Sequence, residues 1–180
     1  MKIISPTESF WDFSNHLYRE PGVEQICLEM QDQVGADVNM ILFTCWYGAT
    51  RGKLPQPLFE RALQFSSQWN NAITSALRQG RRWMKETPPD TEDPDLQAQF
   101  VLLREEIIKV ELQAEQFHEN MLESLVTEPA SRLSASEQSD AALYNLEHYA
   151  RDNGLDLKRC AGPFRKLVAK TLDALAEEPV

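Results

Sequence analysis

The stretch CLEMQDQVGADVNMILFTCWYGATRGK, residues 27–53, decides the architecture. Between Met40 and Tyr47 only Thr44 is polar. A helix apolar nearly all round is buried on most sides, so this segment reads as the central helix of an all-helical core. Just ahead of it lies a polar island of Gln31, Asp32, Gln33, Asp37 and Asn39. One reading makes the island a joint between helices. Gln31 to Gln33 are then the wet face of the preceding helix, and Gly35 stops that helix in a left-handed turn. Asp37 caps the next helix by accepting from the free amides near Asn39 and Met40. The other reading makes Asp32, Asp37 and Asn39 the polar lining of a pocket, with Trp11, Trp46 and Tyr47 as its apolar wall. The spacing favours the joint for Gly35 and Asp37. Asn39 is the least explained, since its amide is placed to bond a neighbouring helix.

Upstream, Val23, Ile26, Cys27, Met30 and Val34 recur at helical spacing. Pro21-Gly22 separates them from a first helix with Phe10, Phe13 and Leu17 on one stripe, opened by the capping signature Ser5-Pro6-Thr7-Glu8. Downstream, Gly48 to Pro57 reads as a loop and Pro57 as the opening of a helix. Ser66-Ser67 marks a break before a helix carrying Trp69 to Met84. Residues 87–95, TPPDTEDPD, hold three prolines and four acids and read as an acidic linker.

The long helix expected over about 95–126 has Leu96, Phe100, Leu103, Ile107, Val110, Ala114, Phe117 and Met121 spaced alternately by four and three. That is a heptad seam, and such a helix is roughly 45 Å long. It either braces the bundle or meets another molecule, which leaves room for a homodimer through it. Ser134 and Glu137 form a second capping signature, for a helix running through Leu146 to Gly154. Pro163 opens the last helix, whose terminal Glu177 and Glu178 oppose its dipole, so its final turn should fray. The expected fold is an all-α, single-domain bundle over residues 1–180, with about seven or eight helices.

A formal charge of −10 argues against a general nucleic-acid binder and against DNA-specific binding. Cys27, Cys45 and Cys160 are too few and too far apart for a disulfide framework. The N-terminus lacks the apolar run of a signal peptide, and no stretch approaches the ~20 residues of a membrane span. The expectation is a soluble cytoplasmic protein.

Catalytic motifs are weak. Glu115-Gln116-Phe117-His118 has the Glu-x-x-His spacing of carboxylate-bridged metal sites. A core-facing Phe117 would turn Glu115 outward, however, and no second pair exists. Gly48-Ala49-Thr50-Arg51-Gly52-Lys53 lacks the spacing of a phosphate loop. Neither a metal nor a cofactor is expected.

Charge is the stronger signal. Residues 51–85 hold seven cations and one acid, Glu60, a balance of +6. The rest of the chain holds 11 cations and 27 acids, a balance of −16. Arg78, Arg81, Arg82 and Lys85 cluster within about a turn and a half of helix, beside Trp83. They either pair internally with acidic helices or the linker, or form an anion-binding face with Arg51 and Lys53.

Phe10-Trp11-Asp12-Phe13-Ser14, Leu17-Tyr18, Pro21-Gly22-Val23, Gln31-Asp32, Gly35-Ala36-Asp37-Val38-Asn39 and Leu42-Phe43 together resemble an uncharacterised family of small proteobacterial proteins. Leu77-Arg78 and Arg81-Arg82-Trp83 fit the same pattern. The resemblance implies an all-helical bacterial cytoplasmic protein and no known reaction. It also implies a gene neighbourhood with an ABC-F type ATPase of the translation apparatus. The expected function is therefore a non-enzymatic interaction protein. Arg78, Arg81, Arg82 and Lys85, helped by Arg51, Lys53 and Trp83, would dock an acidic or phosphate-bearing protein or ribonucleoprotein. The alternative is a small enzyme or ligand-binding protein with its pocket around Asp37 and Asn39.

Overall fold

The computed structural model describes residues 9–175, and all regular structure among them is helical. The elements are α1 (Phe10–Arg19), α2 (Val23–Val34), α3 (Val38–Arg51), α4 (Gln56–Trp69), α5 (Ser75–Glu86), α6 (Pro94–Ser124), α7 (Ala135–Asp152) and α8 (Leu157–Leu175). A π-helical turn, Asn70–Thr74, joins α4 to α5. The all-α expectation and the long helix both hold. No described helix is long and apolar enough to cross a membrane.

Helix α3 is the centre, because every residue from Met40 to Thr50 is buried. It packs against α1, α2, α4, α6, α7 and α8. Phe10 of α1 meets Phe43 and Trp46 with ring centroids 5.6 and 5.3 Å apart, the edge and tilted geometries aromatic pairs prefer. The joint before α3 forms as its residues dictate. Gly35 ends α2 at φ 72°, and the Asp37 carboxylate accepts from the amides of Asn39 and Met40. Ser134 and Glu137 complete a reciprocal capping box at α7.

Four local expectations need correction. The loop expected from Gly48 is the last turn of α3, which continues to Arg51. Gly48 serves close packing instead of breaking the helix: a Cβ there would lie 2.4 Å from Ala142 Cα of α7. The break expected at Ser66-Ser67 does not occur. Ser66 is buried inside α4, and the irregularity comes four residues later as the π-turn. Pro163 lies inside α8, six residues past its start. Asp156 opens that helix, its carboxylate accepting from Lys158 N–H and its carbonyl from Cys160 N–H. The fourth correction is the phase of α6. Its buried residues are Glu111, Ala114, His118, Glu119 and Leu122, whereas Leu96, Leu103, Val110 and Phe117 of the heptad seam are about half exposed. The Ser5 capping signature and the Glu177–Glu178 end lie outside the described residues. Ser9 caps α1 as described, accepting from Asp12 N–H.

Candidate functional site

A cleft of about 740 Å³ opens between α1, the α2–α3 joint, the start of α5 and the second half of α6. It gathers residues from both sequence-derived sets. Trp11, Asp32, Asp37 and Asn39 line one side, and Arg78, Arg81 and Arg82 line the other. Trp46 does not join them. It is 1% exposed and packs against Phe10 and Phe43 in the core. Tyr47 is likewise a core residue. Arg51 lies at the far end of α3 from Asp37, about 20 Å away along the helix. There its guanidinium stands 4.3 Å over the Trp46 ring, and Nε–H donates to the Glu128 carbonyl. Lys53 stands 4.4 Å over Tyr144. These two cations do not converge with the α5 cluster.

The arginines on the cleft wall are already engaged. Arg78 donates from Nε to Glu111, from Nη1 to Gln31 and from Nη2 to Glu115, at 3.3, 2.9 and 2.8 Å. Arg81 forks onto both Glu111 oxygens at 2.5 and 3.1 Å. Burial pushes the Glu111 carboxyl up, but the two guanidiniums outweigh it and hold it below the ordinary carboxylate value. Glu115 is raised, because burial outweighs the single Arg78 contact. Arg82 is half exposed and stands 3.9 Å from Asp32 across the mouth. Trp83 is 60% exposed, and Lys85 is exposed beside it.

Behind Asp37 and Asn39, which line the cleft, runs a chain of buried hydrogen bonds through Ser66 and His118. The Asp37 carboxylate can only accept, so the Ser66 hydroxyl donates to it, at 2.6 Å. Ser66 Oγ must then accept from His118 Nε2–H at 2.9 Å. His118 Nδ1 is left with a lone pair and accepts from the Asn39 amide at 2.9 Å. This direction uses every hydrogen once and keeps His118 neutral. Burial also lowers the His118 pKa, against a weaker pull upward from Asp37. The order Asp–Ser–His resembles a nucleophile relay but runs the wrong way. A base would accept from the serine, whereas His118 donates to it, and both side chains are fully buried. Asp37 also receives the structure's inward anchor from α7, since its N–H donates to the Tyr149 hydroxyl at 2.8 Å.

Beside this chain lies Glu119, 4% exposed on the cleft wall. Its Oε2 is 2.5 Å from Ser14 Oγ, which also stands 3.1 Å from the Trp11 carbonyl. One hydroxyl hydrogen cannot serve two acceptors. Protonated Glu119 resolves this, donating to Ser14, which donates in turn to Trp11. Burial raises the Glu119 pKa to about 8, with Glu115, Glu123 and Asp37 adding to it and Ser14 opposing. The π-turn supplies Asn70 to the same cleft and precedes Ser75 and Arg78, and such turns are frequent at functional sites.

Sequence reasoning missed Ser66, Glu111 and Glu119, and weighed His118 only as a metal ligand, not as the partner of Ser66 and Asn39. Only half of the seam turns inward: Ala114 is buried and Phe100, Ile107 and Met121 are half-buried, whereas Phe117 faces outward with Leu96, Leu103 and Val110. The signal that finds the true face is Glu111, Ala114, His118 and Leu122, at spacings of three, four and four. Glu115 accordingly lines the cleft. Among the described residues no cluster of three or more His, Cys, Asp or Glu side chains is arranged to hold a metal ion.

A family model described as "Protein of unknown function (DUF2390)" matches residues 9–122. The chain belongs to that family. The matched span runs from the first described residue into the last turn of α6, so it contains every cleft residue named above. α7 and α8, which close the far side of the core, lie beyond it. No curated protein and no solved structure matches the chain significantly.

Proposed function

We propose that this DUF2390 member is a non-enzymatic cytoplasmic binding protein whose cleft holds a small ligand bearing both a negative and a positive group. The observation that supports this reading is the convergence of Arg78, Arg81 and Arg82 with Asp32, Glu115 and Asn39 around one cleft of about 740 Å³. That volume falls in the range of small-molecule sites, about 300–1,000 Å³. A bare anion would meet arginines already satisfied by carboxylates, and a bare cation would meet carboxylates already held by arginines. A zwitterion exchanges partners with both, preserving the charge balance. Trp11, Leu28 and Leu112 offer its apolar portion a wall.

The test is a titration by two-dimensional NMR with free amino acids and dipeptides, beside simple carboxylates and simple amines. Zwitterions should shift the Trp11 indole signal. Asn39→Ala should weaken that binding at least tenfold and cost about 1–3 kcal/mol, because His118 Nδ1 loses its donor. Lost stability with unchanged binding would make Asn39 purely structural, and a silent panel would refute the zwitterion reading.

A second reading has its own support. Trp83, Arg82 and Lys85 form an exposed aromatic and cationic face on α5, outside the buried pairs. That face suits an acidic protein or a ribonucleoprotein. Trp83→Ala with Lys85→Glu, neither of which lines the cleft, should abolish such capture and leave the cleft titration unchanged.

A further inference from the structure

The first half of α6 is a helix with little beside it. Arg81 of α5 stands level with Glu111 of α6. Five residues on, Glu86 ends α5 at the level of about residue 106. From Pro94 to that level no residue of α6 is buried, and only Phe100 and Arg104 are half-buried. Isolated helical segments of this length are marginal in water, so this one needs a neighbour. It also carries the means to hold one. Leu96, Leu103, Val110 and Phe117 are each seven residues apart and 50, 57, 46 and 47% exposed, with Phe117 resting in part on Trp69 at 4.8 Å between ring centroids. A repeat of seven is the period of one helix packed along another, and this stripe runs for roughly 30 Å. Monomeric proteins rarely expose so long a continuous apolar run.

We infer that a second copy of this chain covers the stripe from Leu96 to Val110, with the two α6 helices antiparallel about a two-fold axis at Leu103. The sequence is self-complementary in that register. Leu103 meets its counterpart, and Leu96 meets Val110 of the second copy in two symmetric contacts. Charge selects the direction. A parallel pair would set Glu106 against Glu106 and Lys109 against Lys109. The antiparallel pair brings Lys109 of one copy within side-chain reach of Asp95 of the other, twice. The native Lys109 partner is Glu106 on its own helix, and both are 64% exposed, so Lys109 is free to turn. A two-fold contact of this kind closes on itself and builds no filament.

Cysteine cross-linking tests it, because Cys27, Cys45 and Cys160 are all buried and stay silent. Leu103→Cys should give a disulfide-linked dimer under mild oxidation. Leu96→Cys alone should not, whereas Leu96→Cys mixed with Val110→Cys should. Cross-linking of Leu96→Cys to itself would mean a parallel pair and overturn the register. Sedimentation velocity supplies the independent measurement. The native chain should run as a dimer at micromolar concentration, and Leu103→Glu as a monomer with unchanged circular dichroism. Lys109→Glu should weaken the dimer at least tenfold, and adding Asp95→Lys should restore it. A native chain that stays monomeric to several hundred micromolar would overturn the inference.

Discussion

Replacing Glu119 with Gln should stabilise the protein at neutral pH and remove a pH dependence. Glu119 is 4% exposed, and its carboxyl is raised from 4.5 to about 8. Between those two values the unfolded chain has lost this proton and the folded chain has kept it. Folding must then take up a proton, at about 1.4 kcal/mol per pH unit. The sign follows. The contribution is fully favourable below pH 4.5, declines as pH rises, and stops changing near pH 8, where both states are ionised. At pH 7 the native carboxyl therefore costs about 3 kcal/mol relative to a neutral group of the same shape. Glutamine is that group, and its amide can donate to Ser14 Oγ as the protonated acid does. Urea unfolding at pH 5, 6, 7 and 8 measures the effect. With a slope of about 2 kcal/mol/M, Glu119→Gln should raise the midpoint at pH 7 by roughly 1.5 M. At pH 5 the same arithmetic leaves a rise of only about 0.4 M. Parallel pH profiles for the two proteins, or a less stable variant at pH 7, would show that Glu119 is ionised in the fold and that the Ser14 argument fails.

Two further outcomes bear on the frame around the cleft. Gly48→Ala should cost about 2–3 kcal/mol, because the new methyl meets Ala142 backbone at 2.4 Å and neither helix can yield alone. Chemical denaturation measures it, and a neutral result would mean that α3 and α7 slide apart easily. Thr74→Val should stabilise by about 1 kcal/mol, since the Thr74 hydroxyl is buried in the π-turn without a partner. A destabilised Thr74→Val in the same assay would reveal a bond to that hydroxyl.

Asn145 illustrates how a buried polar residue escapes a reading by pattern. On α7 it interrupts an apolar face and looks like one more surface amide. In the fold it is 1% exposed, accepting from Leu54 N–H and donating to the Thr44 and Gly52 carbonyls. It ties the end of α3 to α7 by satisfying backbone groups that the chain turn leaves open. No local sequence signal marks it, because its partners lie some 90 to 100 residues away.

The sequence by itself determined what short-range physics controls. Gly35 and Asp37 stop one helix and start the next through bonds spanning only a few residues. Met40 to Tyr47 can be buried only at a centre, and the three prolines of residues 87–95 exclude helix until Pro94 opens one. The tertiary structure decided which face of α6 turns inward, because that helix is apolar on more sides than one neighbour can cover. With that face went the candidate site. Arg78 and Arg81 found Glu111 and Glu115, and Asp37 found Ser66 and, through it, His118. Glu119 kept its proton. Charge partners and desolvation depend on atoms brought together from distant parts of the chain, and no periodicity within one segment carries that information.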